Sequence, residues 1–494
     1  MSSPRSAIPI PVQRLASETG GTYVAPSGRH ADEMDGGAAL VHGISHDSRS
    51  VAPGMLFCCV VGRHHDGHAF ASEAITAGAA ALMVERVLDV GVPQIAVPSV
   101  RGALGPASAA VWGQPWRRCA VVGVTGTSGK TTVAHAIGAI ARACGTSCEV
   151  MGTLVEPHTT PEAPEVCRRL SEAADAGTEM VVLEVSSHAL ALGRVDGASF
   201  AAGVFTNLSH EHLDFHITME DYFDAKARLF DGRCEIALVN VADRWGRRLA
   251  AMATGTTGTV VEWQPSDIED VTVSVNGLSG RWRGRPIRCG LLGRFNAANV
   301  AAAAATASAL GFDNSAIAPA IAAVKPVRGR LWPVNGPGDD ITVLVDYAHK
   351  PEALAAALAS ARELSGPDGR LWAVFGAGGD RDPSKRAPMG AAADHHADML
   401  VLTSDNPRSE DPADIAAEIA AGAGGRHDTG DGLHVELDRS LAISLAIEGA
   451  RAGDVVVVAG KGHETTQVTA GRSTPFDDAI VAADALQIRR SARQ

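Results

Sequence analysis

Short runs of apolar, β-branched residues recur along the chain, each closed by Gly, Asp or Ser, and several lead into Ala-rich stretches with helical spacing. Buried strands alternating with helices are the grammar of an α/β fold, in which helices cover a mostly parallel sheet. Three blocks follow from it. In residues 1–117, apolar runs at 55–61 and 79–84 alternate with Gly and Asp turns, which predicts a small mixed α/β domain. In residues 118–330, CAVVGV (119–124) passes through a Gly/Thr/Ser loop into an Ala-rich helix, and MVVLEV (180–185) and EIALVN (235–240) read as further strands of one parallel sheet. In residues 331–494, ITVLVDYA, RLWAVFGAG, DMLVLTSD and DVVVVAG alternate with helices, which predicts a second doubly wound, Rossmann-like sheet. The Ala-rich stretch 297–309 reads as a small-residue helix face packed on a sheet, and no internal repeat is found.

Length and composition fit this division. A chain of 494 residues exceeds one ordinary core, and 46% hydrophobic with 20% charged residues is the balance of a globular protein. The 43 Lys and Arg against 56 Asp and Glu give a net charge of -13, which disfavours nucleic acid or an anionic membrane as partner and requires a local site for any phosphate ligand. The eight cysteines show no CxxC pair, so reduced thiols without disulfides are expected. Neither a signal peptide nor a run of roughly 20 apolar residues is seen, and the expectation is a cytoplasmic protein.

The candidate chemistry starts with GVTGTSGKTT (123–132), placed after an apolar strand and before a helix, where backbone N–H groups and the positive helix end can cradle phosphates. Lys130 would reach the terminal phosphates and Thr131 would offer a hydroxyl to magnesium. The strict GxxxxGK[ST] pattern is not met, because Val124 stands six before Lys130. Taken alone, the string is also compatible with a Gly-rich turn beside a surface lysine.

GTSGKTT resembles the GTNGKTT of the Mur ligase family, and further landmarks of that family follow in its order: EVSSHAL (184–190), FTNLSHEHLDFH (205–216), YFDAKARLF around Lys226, GRFNAANV (293–300), VRGR (327–330) and VDYAHKP (345–351). GGDRDPSKR, SDNPRSEDP, GKGHE and the N-terminal HDSRSVAPGMLF and GRHHDGHAF resemble the branch that attaches the third residue of the cell-wall peptide stem. The resemblance implies a UDP-binding domain, a central P-loop ATPase domain and a Rossmann-like C-terminal domain. It implies that ATP phosphorylates a carboxylate of UDP-N-acetylmuramoyl-L-alanyl-D-glutamate and that the amine of meso-diaminopimelate then displaces phosphate. A monomer is expected.

Roles carry over residue by residue. Gly126, Thr127, Ser128, Gly129, Lys130, Thr131 and Thr132 would form the phosphate loop, and Asn296, Asn299, Arg330, Asp346 and His349 would contact ATP. Thr131, Glu184, His212 and Lys226 are implied for Mg2+. His is an unusual partner for an ion that prefers oxygen, and Lys226 would serve only when carbamylated, which converts a cation into an oxygen donor. Ser48, the stretch 63–66, Thr159, Thr160, Ser186 and Arg194 would hold the UDP-muramoyl dipeptide. Arg381, Asp405, Asn406, Arg408, Gly460 and Glu464 would hold the amino acid, with Arg408 facing the distal carboxylate of diaminopimelate and Glu464 its amine.

Some positions depart from the family pattern: Ser128, Leu192, Glu211, Ile217, GRLW at 329–332, and Thr465 with Thr466. They leave open a divergent ligase acting on another amino acid or carboxylate. A regulatory nucleotide-binding protein without ligase activity is the alternative of a different class, disfavoured by the intact set of Lys130, Glu184, His212, Lys226 and Arg330.

Overall fold

The computed structural model describes residues 9–26, 39–62, 65–154, 159–211, 215–366, 368–424 and 432–493. It divides into two compact units, one of residues 1–264 with 301–317, the other of 265–300 with 318–494.

In the first unit, a five-stranded sheet is formed by Thr22–Val24, Gln94–Ala96, Ala81–Val84, Leu56–Cys58 and Ile44–Ser45, parallel except for the antiparallel edge strand Thr22–Val24. It matches the mixed α/β reading of residues 1–117. A six-stranded parallel sheet follows, in the order Thr259–Trp263, Cys234–Asn240, Phe200–Phe205, Ala120–Thr125, Met180–Glu184 and Cys148–Met151. The four inner strands are buried almost end to end, which is why they read as unbroken apolar runs rather than alternating ones. The chain leaves Ala120–Thr125 toward one side of the sheet and returns to fill the other. The loops after Thr125, Glu184 and Phe205 therefore emerge together at one edge, the switch point where α/β sheets bind ligands.

The second unit holds a three-stranded antiparallel sheet, Ile268–Ser274, Gly277–Trp282 and Arg285–Cys289, and a six-stranded sheet. The latter runs Trp332–Pro333, Thr342–Asp346, Val455–Ala459, Leu371–Phe375, Met399–Leu402 and Leu433–Val435, parallel apart from its first strand. Helices Pro351–Arg362, Arg386–His396 and Pro412–Ala420 build the core on one face, and Arg439–Gly449 with Asp478–Arg493 build it on the other. This is the doubly wound arrangement expected of residues 331–494. The loops after Asp346, Phe375, Leu402 and Ala459 leave a common edge. All eight cysteines are free thiols.

Candidate active site

In the first unit, the loop 126–129 turns from the strand Ala120–Thr125 into the helix Lys130–Ala143. Gly126 has φ +149°, and a Cβ there would meet Thr206 Oγ1 at 1.9 Å, so only glycine fits the turn. The loop is braced from the next strand's exit: Thr206 Oγ1 donates to Ser128 O at 2.7 Å, and Ser128 N donates to Asn207 Oδ1 at 3.0 Å. Lys130 Nζ donates to Gly126 O and Thr127 O at 2.9 and 2.8 Å, curling over the loop it serves. Thr131 and Thr132 lie buried in the first helical turn.

Glu184 is 1% exposed at the end of its strand. It accepts from Thr131 Oγ1 at 2.8 Å, from Thr153 N at 2.9 Å and from Thr153 Oγ1 at 3.2 Å. A Cβ at Gly152 would sit 2.1 Å from Glu184 Oε1, so the carboxylate lies directly against the backbone there. Lys226 comes from the helix Met219–Ala227, whose start is fixed by a Thr218/Asp221 capping box. Its Nζ is buried, donates to Gly126 O at 2.8 Å and lies 4.5 Å above the Tyr222 ring. Burial, reinforced by Lys130, pushes the Lys226 amine well below its ordinary value. Thr131, Glu184 and Lys226 thus gather at the phosphate loop, while His212 lies outside the described residues.

The same edge brings together the residues expected to hold the dipeptide. Thr160 Oγ1 donates to Glu184 O at 2.8 Å and receives Ser186 N at 3.0 Å; Thr153 Oγ1 lies 3.2 Å from Thr159 Oγ1. Arg194 Nη1 donates to Thr160 O at 2.8 Å, and its Nε lies 2.9 Å from Glu162 Oε1, a carboxylate that also pairs with Arg101 at 2.7 Å. Ser48 opens a short 3-10 turn capped by Asp47. His46, two residues earlier, feels the charges of Glu162, Arg101 and Arg194, which sets the loop carrying Ser48 near that ion-pair group. Of the stretch 63–66, Arg63 and His64 lie outside the described residues; Asp66 pairs with His68 at 2.6 Å and with Arg86 at 2.7 Å. Thr153, Glu162, Thr206 and Asn207 support the site without having been assigned from sequence. Thr206 and Asn207 stand inside the quoted FTNLSHEHLDFH, but nothing in their spacing marks their contacts.

In the second unit, Asn296 and Asn299 are buried on the first turns of the helix Asn296–Ala309, with Asn299 Nδ2 donating to Asn296 Oδ1 at 2.6 Å. Arg330 stacks 4.8 Å above the Tyr347 ring. Asp346 accepts from Leu331 N and Ala348 N at 2.7 and 2.8 Å, and burial raises its carboxyl above the usual range. His349 Nδ1 lies 2.9 Å from Tyr347 O.

The loops after Leu402, Ala459 and Phe375 form a charged pocket. Asn406 Nδ2 donates to Glu464 Oε2 at 3.0 Å and to Asp405 Oδ1 at 3.2 Å, while Arg408 Nη1 lies 3.5 Å from Asn406 O and 2.6 Å from Gly379 O. Arg408 holds a left-handed φ of +53°. A Cβ on Gly378 would meet both the Arg408 guanidinium and Arg381 Cγ, so the two arginines share one side of this loop. Gly460, at φ +113°, passes close to the Asp405 carboxylate. Asn406 therefore meets acidic side chains through its amide and the Arg408 guanidinium through its backbone carbonyl.

Residues 40–111 match the catalytic domain of the Mur ligase family, 124–307 the Mur ligase middle domain, and 329–462 the Mur ligase glutamate ligase domain. The chain belongs to the Mur ligase family. It is 42% identical over 480 residues to a UDP-N-acetylmuramoyl-L-alanyl-D-glutamate--2,6-diaminopimelate ligase of Streptomyces coelicolor, covering 91% of this chain and 93% of the relative. A ligase of the same name from Chromobacterium violaceum is 41% identical over 468 residues, covering 90% and 94%. A solved structure of that name superposes with a TM-score of 0.67 at 31% identity, covering 98% of this Mur ligase and 99% of the other chain.

Proposed function

We propose that this Mur ligase joins meso-diaminopimelate to UDP-N-acetylmuramoyl-L-alanyl-D-glutamate at the expense of ATP, in the assembly of peptidoglycan precursors. The observation that carries the choice of amino acid is the two-signed pocket around Asn406. Diaminopimelate has an amine and a carboxylate at its distal end, and Glu464 and Arg408 offer each a partner of opposite charge; L-lysine has no distal carboxylate. Three domains, 1–117, 118–330 and 331–494, are the organisation we favour, supported by a separate five- or six-stranded sheet in each.

The chemistry begins with phosphoryl transfer from ATP to the glutamate carboxylate, where two anions must meet. Lys130 and the backbone N–H groups of the loop would hold the terminal phosphates, and Asn296, Asn299, Arg330, Asp346 and His349 are the further ATP contacts. Thr159, Thr160, Ser186 and Arg194 would fix the muramoyl dipeptide, with Ser48 toward the uridine. The oxygen donors Thr131 and Glu184 fit magnesium, which when bound would offset phosphate charge. Lys226 fits as a carbamate: its buried amine is held toward the neutral form, the form that adds CO2. The diaminopimelate amine, held by Arg381, Asp405, Asn406, Arg408, Gly460 and Glu464, would then attack the acyl phosphate and release phosphate. Among the described residues no helix is long and apolar enough to cross a membrane, and we read the enzyme as a cytoplasmic monomer independent of nucleic acid.

Coupled ADP release tests this function. ADP should appear only with both the UDP-muramoyl dipeptide and an amino acid, and diaminopimelate should be used far better than L-lysine. Equal use of the two would overturn the specificity; no release with either would overturn the ligase reading.

A further inference from the structure

Lys461, in the loop after Val455–Ala459, is the least accessible charge of the pocket at 0% exposure. Four oxygens surround its ammonium: Thr466 O at 2.7 Å, Asn406 Oδ1 and Glu464 Oε2 at 3.3 Å, and Asp405 Oδ1 at 3.8 Å. Asn406 Oδ1 also accepts from Val468 N at 3.0 Å. With the amide oxygen taken by two donors from behind, the Asn406 Nδ2 must face forward, where it meets Glu464 and Asp405. Arg439, the other buried cation here, is bonded to both oxygens of Asp478 and to Ala459 O. Lys461 shares with Arg439 the offsetting of Asp405, and it pairs directly with Glu464 at 3.3 Å. The Glu464 side chain is 36% exposed, whereas that of Lys461 is 0% exposed.

We propose that Lys461 is a positioning residue for amino-acid recognition, orienting Asn406 and Glu464 from behind so that the Glu464 carboxylate is turned toward the ligand's ammonium. The proposal rests on the assignment of this pocket to the amino acid. Lys461 itself touches no substrate. Removal of Lys461 lets the two carboxylates repel and the Asn406 amide turn.

Steady-state ADP release by the full chain tests this with Lys461→Met, Glu464→Gln and the double variant. Lys461→Met should raise the KM for diaminopimelate tenfold or more while the KM for ATP stays within twofold; a purely structural role would instead lower kcat and leave both KM values alone. Because Lys461 acts through Glu464, the same substitution on the Glu464→Gln background should raise the KM by a much smaller factor. A KM for diaminopimelate within twofold of wild type in K461M, or an equal rise on both backgrounds, overturns the proposal. If K461M shows no cooperative melt, Lys461→Gln, which keeps a donor toward Thr466 O, is judged by the same KM ratio. Failure of both to fold would mark Lys461 as structural and also overturn it. A wild type inactive with diaminopimelate would instead refute the function proposed above.

Discussion

Around the phosphate loop, Lys130 and Lys226 both donate to the carbonyl oxygen of Gly126, whereas in the pocket of the second unit Lys461 is held largely by side chains, among them two carboxylates. In the first site burial, and then Lys130, make Lys226 harder to charge, while Glu211 acts the other way. In the second, burial raises Asp405 while Arg439 and Lys461 pull it back down. Carbonyl partners cannot be altered by side-chain substitution, so the first site is fixed by its backbone. The second is defined by replaceable side chains, and there specificity is open to change.

The sharpest way to break this comparison is Lys130→Ala, which leaves the loop backbone intact but removes the phosphate partner proposed for it. Ligation should fall by on the order of a thousandfold or more, and ADP release near the wild-type rate would contradict the loop's role. Arg408→Ala should act on selectivity and not on ATP. Losing one partner of a desolvated charge costs roughly 2–5 kcal/mol, so competition between diaminopimelate and L-lysine should shift toward lysine by one to a few factors of ten. An unchanged ratio would remove Arg408 from the pocket.

Lys226 supplies a pH signature. Its folded-state value is lowered, so between that value and 10.5 the unfolded chain binds the extra proton, and its cost to stability shrinks as pH rises. In CO2-free buffer, Lys226→Met should therefore melt higher than wild type near neutral pH, with the gain fading toward 10.5. In CO2-equilibrated buffer, intact mass should show the carbamate on wild type and not on the variant. The smallest effect is expected from Thr218→Ala, which removes half of the capping box on the Lys226 helix and should cost about 1 kcal/mol in a denaturant melt.

Much of this was legible in the sequence because buried parallel strands announce themselves. CAVVGV and EIALVN fall within a residue of the strands Ala120–Thr125 and Cys234–Asn240, and the stretch 297–309 lies in the helix Asn296–Ala309. The sheet at 268–289 was not anticipated, since its exposed polar faces, as in Ile268–Ser274, leave no continuous apolar run. The hairpin Thr466–Thr469 with Arg472–Pro475 escaped for the same reason. In the site, the motif residues Lys130, Glu184 and Lys226 converge as expected, but the supporting contacts of Thr153, Glu162 and Lys461 did not show. Each depends on a partner 31 to 61 residues away whose approach is set by the fold, and the sequence spacing carries no trace of it.

The left-handed backbone of Arg408 bears on how such an enzyme could drift. A non-glycine residue at φ +53° costs roughly 1 kcal/mol that glycine would not. Folding by itself would therefore favour Gly at 408, and chain stability and the substrate discrimination proposed for Arg408 pull in opposite directions at this one codon. A lineage released from the need to tell diaminopimelate from lysine would gain robustness by losing this arginine, so a change of cell-wall chemistry here runs downhill for the fold.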